Sequence, residues 1–367
     1  MEWEQVVREV HLLGGGRALN GMDPSVNIRP NAVSGKLAVV TLKSFGSLYS
    51  DLKLLGLEPI GCDFITTTEA AEGQSPPEWR SRNIVSPTWL CADQGHEWSF
   101  IANAAFKQKK GYLYDIASRI SHQIRACEWR LRQLSEAYAE QLSSRLQSKS
   151  FQEGQRFLNG YTSLCYLALH SFLVEACVLR DYLAEFYYEA SDAKTDLSNP
   201  TSGHKITTLS GLLKRWKSRQ PSDPAGKEMI ASAKPGQWLY ELGAYRDLVV
   251  HTAPLASAGR SLFAVTRSFE LSGGERLPGI KLPLPNNPAE LRSERSSGRY
   301  FQDPELNFAR NRNIIEDVDN TKDSLEYAHL CMQLLGALAS TLSKSSPIIP
   351  EIPQITAKDI IGSIKKR

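Results

Sequence analysis

Between Gly111 and Gly154 the chain carries neither glycine nor proline. The run filling most of that interval, YLYDIASRISHQIRACEWRLRQLSEAYAEQLSSRLQSK, has nothing to stop a helix once it has begun. A helix that long is stable only if its apolar stripe is buried against other elements. The following segments supply them. A second helix is predicted from about Gln155 to Ala190, a shorter one over KITTLSGLLKRWKSR, another over WLYELGAYRDLVVH, and a last one over TKDSLEYAHLCMQLLGALASTLSK. In the last, Leu325, Ala328, Met332, Leu335, Ala339 and Leu342 alternate steps of three and four, which makes one continuous seam. Helices striped in this way bury one another most economically as a bundle.

The texture before residue 109 is different. A short helix is predicted over EWEQVVREVHLL, strands over Ser34–Leu42 and Cys62–Glu69, and between the strands a helix ended by Gly56. The expected class is therefore mainly α. A mixed α/β unit over 1–108 precedes a helical bundle over 109–345, and a proline-bearing tail follows from 346 to 367. An insertion at about 260–318 interrupts the bundle before its last helix. LFAVTRSFEL and GIKLPLP, flanking SGGERLP, read as a β-hairpin, and the polar segment after it reads as a surface loop.

Composition narrows the function classes without choosing one. With 41% hydrophobic and 23% charged residues the 367-residue chain is an ordinary globular protein, and a net charge of +3 permits nucleic-acid binding without arguing for it. LGGGRALNG has glycines but no GK[ST] and no clear strand before it, so it is not read as a phosphate loop. The six cysteines lack metal-ligand spacing, and Cys91 with His96 supplies only two ligands, so no metal site and no cofactor is predicted. The cysteine usage and the acids early in the sequence, with no stretch read as long and apolar enough to span a bilayer, point to a cytoplasmic protein without a membrane.

One helix carries an anomaly. On WLYELGAYRDLVVH, at about 100° per residue, Trp238, Leu239, Leu242, Tyr245 and Val249 share an apolar arc, and Arg246 falls inside it. Glu175 lies within the apolar stripe of the second long helix (Tyr161, Leu164, Cys165, Ala168, Phe172, Ala176, Leu179, Leu183 and Phe186), so an ion pair between the two is a natural expectation. His251 stands four residues after Asp247, a spacing that lets a carboxylate orient the imidazole. On a straight helix His251 points roughly 140° away from Arg246. Either Pro254 unwinds the last turn, or a two-fold partner supplies the missing half. A cation beside a base suits RNA cleavage. The imidazole takes the 2′-hydroxyl proton and the guanidinium stabilises the charged phosphorane.

RDLVVH, from Arg246 to His251, resembles the R-x(4–6)-H signature of HEPN domains, with Asp247 as the polar residue that commonly follows the arginine. The resemblance spans residues 110–345. It implies a helical bundle that dimerises and cuts RNA without metal, leaving a 2′,3′-cyclic phosphate. It also implies that Arg246 and His251 are catalytic and that Asp247 orients them. An acidic residue from an earlier helix joins the site in some members; Glu175 is assigned here on the wheel alone. Such proteins act in toxin and antiviral systems, which makes RNA the expected substrate and a homodimer the expected assembly. Residues 1–108 are left as a place for a regulatory partner or ligand. Lys214, Arg215, Lys217 and Arg219 around Trp216 form a basic run on which RNA could lie, although such runs are also ordinary solvated helix faces. Two other readings stay open. One is a non-catalytic module of the same type that binds RNA, nucleotide or a partner protein, with Arg246 and Glu175 as a structural pair. The other is an unrelated helical interaction protein.

Overall fold

The structure, a computed structural model, describes residues 7–21, 24–82, 94–148, 151–190, 206–217, 221–251, 263–298, 302, 305 and 317–352. The N-terminal part is a six-stranded antiparallel sheet of β1 (Val7–Leu12), β2 (Arg17–Asn20), β3 (Ser25–Arg29), β4 (Ala38–Thr41), β5 (Pro59–Ile65) and β6 (Glu78–Ser81), in the order β4-β3-β2-β1-β5-β6. Helices α1 (Leu48–Leu54) and α2 (Thr68–Ala71) flank β5 in sequence. Gly56 ends α1 as expected, at φ +89°. The helix expected over residues 2–13 is instead, where described, the strand β1. Val7 to Leu12 pair with β5 on one side and His11 to Arg8 pair with β2 on the other, so tertiary pairing overrides the local pattern.

The helical part comprises α3 (Gly95–Lys107), α4 (Gly111–Gln147), α5 (Gly160–Ala190), α6 (Leu209–Trp216), α7 (Pro224–Ser232), α8 (Trp238–His251), α9 (Pro288–Ser296) and α10 (Ser324–Ser343). Strands β7 (Arg156–Phe157), β8 (Ala264–Glu270) and β9 (Arg276–Lys281) form a small second sheet, of which β8 and β9 are the expected hairpin. The mainly helical class is as predicted. Every residue of the α10 seam is at most 3% exposed. It packs on α4 and α5, which lie along each other at the centre. Trp98 and Ile101 of α3 join the same core, so the bundle begins before the expected boundary at 108. The hairpin reaches the other way, placing Leu271 and Leu277 in the core of the N-terminal sheet.

Three expectations are corrected. Helix α5 is long and apolar enough to cross a membrane by length and composition, which the sequence reading passed over, but half of its most apolar window is buried inside the protein. Tyr161 and Leu164 are not in its stripe: both are exposed, and the buried face starts with Thr162 and Cys165. The polar segment after the hairpin is not all loop, because Pro288–Ser296 forms α9 against α8.

Asp323 fastens α10 to its surroundings. As the N-cap it accepts from the backbone N–H groups of Leu325 and Glu326, both at 3.0 Å, while its other oxygen accepts from Leu282 N–H and Tyr138 O–H, both at 2.9 Å. Tyr166 and Tyr245 donate from the bundle to the carbonyls of Pro283 and Pro285 at 2.9 and 2.7 Å. These bonds fix the 282–285 segment that leads into α9, and so fix where α9 can meet α8.

Candidate functional site

Helix α8 holds its place through Leu239, Leu242, Tyr245, Leu248 and Val249, all at most 5% exposed. Arg246 stands at the edge of that face. Its guanidinium lies beside the Cys177 thiol of α5, its Nη1 is 3.1 Å from Asp247 Oδ1, and its Nε is buried without a hydrogen-bond partner among the described residues. Asp247 uses its second oxygen to bind Arg292 of α9. His251 is the last described residue of α8 and is exposed.

Two anticipated contacts are not made. Asp247 does not hydrogen-bond His251; its two oxygens face Arg246 and Arg292 instead. Glu175 does not meet Arg246; Gln123 Nε2 donates to it at 2.6 Å and Arg130 Nη2 lies 3.6 Å away. The cause is geometric. Helix α5 is covered by α4 on one flank and by α8 on another, so a place inside its stripe does not say which neighbour a side chain faces. Arg246 and His251 belong to one unbroken helix, five residues and roughly 140° apart, so the imidazole points away from the guanidinium within one chain. Pro254, invoked for unwinding, lies outside the described residues.

Beside Asp247 opens a cavity of about 520 Å³ between α6, α8 and α9, floored by Arg180 of α5. Lys214 and Lys217 of the predicted basic run line it, together with Arg292. Arg215 is partly buried. Trp216 is only 7% exposed and meets the Tyr187 ring edge-on at 5.2 Å, so it is core and offers no stacking face. Arg219 lies outside the described residues. Sequence reasoning missed Arg180 and Arg292, whose role depends on three helices meeting. The start of α9 did carry a signal: Pro288 at its first position and Glu290 in its first turn.

A second polar array was also missed. Ser135 Oγ lies 3.1 Å from His11 Nδ1, and His11 Nε2 lies 3.3 Å from Asp63 Oδ2. Arg132 grips Asp63 with two bonds of 2.8 Å. The order resembles a hydrolytic triad, but all three members are at most 4% exposed. Burial, reinforced by Arg17, pushes the His11 pKa down to about 3. Burial alone would raise the Asp63 carboxyl; the bonds and charges of His11 and Arg132 outweigh it and hold the group below its usual range. No substrate reaches a serine this deep, and the array serves to join β1 and β5 to α4. His329, buried beside Gln333, is likewise a core residue, while His122 is exposed. Cys91 lies outside the described residues, and His96 stacks on Phe100 at 6.2 Å. Among the described residues no cluster of His, Cys, Asp or Glu is placed to hold a metal ion.

No protein-family model matches the chain, and no curated protein or solved structure does so either.

Proposed function

We propose that the protein is a metal-independent endoribonuclease of HEPN type that acts as a dimer, with Arg246 of one subunit working with His251 of the other. The observation that carries this reading is the placement of Arg246, Asp247 and His251 in the last two turns of one bundle helix, with a cation-lined cavity opening at Asp247. RNA phosphates entering along Lys214 and Lys217 would be led to that end of the helix. His251 takes the proton from a 2′-hydroxyl as its oxygen attacks the adjacent phosphorus. Arg246 stabilises the phosphorane, the bond to the 5′-oxygen breaks, and a proton returns to that oxygen. Self-association is supported by exposed apolar side chains: Leu164, Leu167 and Val174 at helical spacing on α5, and Val250 next to His251.

The test is cleavage of labelled RNA in excess chelator. Arg246→Ala and His251→Ala should each reduce it at least about a hundredfold, with the fold and the dimer unchanged. A wild-type protein that binds RNA and never cuts it would favour the second reading, a non-catalytic RNA-binding module. That reading draws on the commitment of Asp247 to two arginines, which leaves His251 without an orienting carboxylate among the described residues. It does not include an Arg246–Glu175 ion pair, since Glu175 faces Gln123 and Arg130.

A further inference from the structure

The α6–α8–α9 cavity holds more positive charge than its walls need. Among the described residues Arg180, Lys214, Lys217 and Arg292 line it against one carboxylate, Asp247. Lys214 and Lys217 are exposed and have no carboxylate partner among the described residues. Arg180 is the least expected of the four. Its side chain is 10% exposed, a costly position for a guanidinium unless it is paired or used. Asp181 takes its Nε at 3.1 Å and its Nη2 at 3.0 Å, while Nη1 has no hydrogen-bond acceptor among the described residues. That nitrogen is admitted by a gap in α8: a Cβ on Gly243 would stand 3.0 Å from it. A glycine therefore makes room for a buried cation with a donor to spare. Ser210, Ser293 and Ser296 add hydroxyls around the same space.

We propose that this cavity is a binding site for a di- or triphosphate group, and that its occupation draws Arg292 off Asp247 and so frees that carboxylate for His251. A volume of about 520 Å³ suits a small ligand rather than a protein surface. Four cations exceed what one phosphate engages and match a chain of two or three. A polyphosphate offers Arg292, whose side chain is 47% exposed, more negative charge than the single carboxylate it now binds, while Arg246 goes on neutralising Asp247 and limits its repulsion of the ligand. Released on that side, Asp247 is left with Arg246 and with the imidazole one helical turn on. The cavity becomes a switch for the helix end. The second half of the proposal, but not the first, rests on the nuclease reading of that helix.

Calorimetric titration with inorganic tripolyphosphate and, separately, with ATP tests the first half on the full chain without divalent metal. Saturable binding should weaken roughly tenfold for each of Lys214→Ala and Lys217→Ala, exposed positions at which folding is not at stake. Equal affinity for both probes would assign recognition to the phosphates alone. Much tighter ATP binding would add the nucleoside, which the exposed Tyr240 at the rim could stack. No binding of either probe, or affinity unchanged in the double variant, overturns the site. For the second half, saturating tripolyphosphate should move the His251 ring resonances, and Arg292→Gln should move them the same way without ligand. Resonances indifferent to both would overturn the coupling while leaving the site intact, and neither measurement depends on RNA being cut.

Discussion

The separation of Arg246 from His251 can be turned into a number. Helix α8 is unbroken through His251, so five steps of about 100° leave the two side chains roughly 140° apart, and one chain does not bring them together. In a two-fold dimer each composite site then takes its arginine from one subunit and its histidine from the other. Arg246→Ala and His251→Ala homodimers have no complete site. A heterodimer of the two has one: the subunit carrying His251→Ala keeps its arginine, and the subunit carrying Arg246→Ala keeps its histidine. Random re-pairing of equal amounts makes about half the dimers mixed, each with one site of two, so the mixture should recover roughly a quarter of wild-type cleavage from two inactive components. Purified through two different tags, the heterodimer alone should reach about half. The assay is initial cleavage rate on a fluorescent RNA in excess chelator, with dimer content checked by light scattering. A tagged heterodimer that forms fully and stays inactive, beside an active wild type, would refute the shared-site geometry, as would a wild type that cuts RNA as a monomer.

Three further outcomes follow from the fold. Asp323→Ala removes an N-cap and leaves Leu282 N–H and Tyr138 O–H buried without an acceptor; a loss of about 3–5 kcal/mol is expected in urea unfolding. Gly15 has φ +92°, and a Cβ there would stand 2.8 Å from the Tyr138 carbonyl oxygen, so Gly15→Ala should cost about 2 kcal/mol or more by the same measurement. Acid should also destabilise the protein well above the carboxylate range. Burial pushes His11 and His329 down to about 3, with Arg17 adding to the first and Arg82 and Lys53 to the second. The unfolded chain binds those protons from near pH 6.5 and the fold does not, so stability is full above that pH and falls below it. Each should remove about 2 kcal/mol by pH 5, and His329→Leu should flatten the slope in denaturation curves taken from pH 7 to 5.

Where the sequence was legible, the deciding interaction lay within one element. The Leu325–Leu342 seam, the length of α4 and the stop at Gly56 are local, and each appears as read. Where it was not, the deciding partner lay far along the chain. Val7–Leu12 looks helical until Ile65 and Asn20 are known to flank it. Ser135, His11 and Asp63 meet from three elements with no spacing that could announce them. The glycines of LGGGRALNG follow directly on β1, a strand that their reading did not expect, and their close pass, Gly15 against the backbone of α4, needed α4 in place.

The candidate site divides along the same line, and the division bears on mechanism. A helical wheel fixes a side chain's angle about its own axis and says nothing of which neighbour stands at that angle. For this reason Glu175 was placed inside the stripe and joined to Arg246, when it is only half-buried and the side of α5 it occupies belongs to Gln123 and Arg130 of α4. The Arg246–His251 angle is the opposite case, since both residues share one axis and their divergence follows from spacing alone. What spacing could not supply is Asp247's second partner. Arg292 comes from a helix so polar that only its terminal proline and acid mark it, and it holds the oxygen that a four-residue spacing had promised to His251. Orientation of His251 by Asp247 would therefore have to compete with the Arg292 ion pair, which sits at the edge of the cavity lined by Lys214 and Lys217.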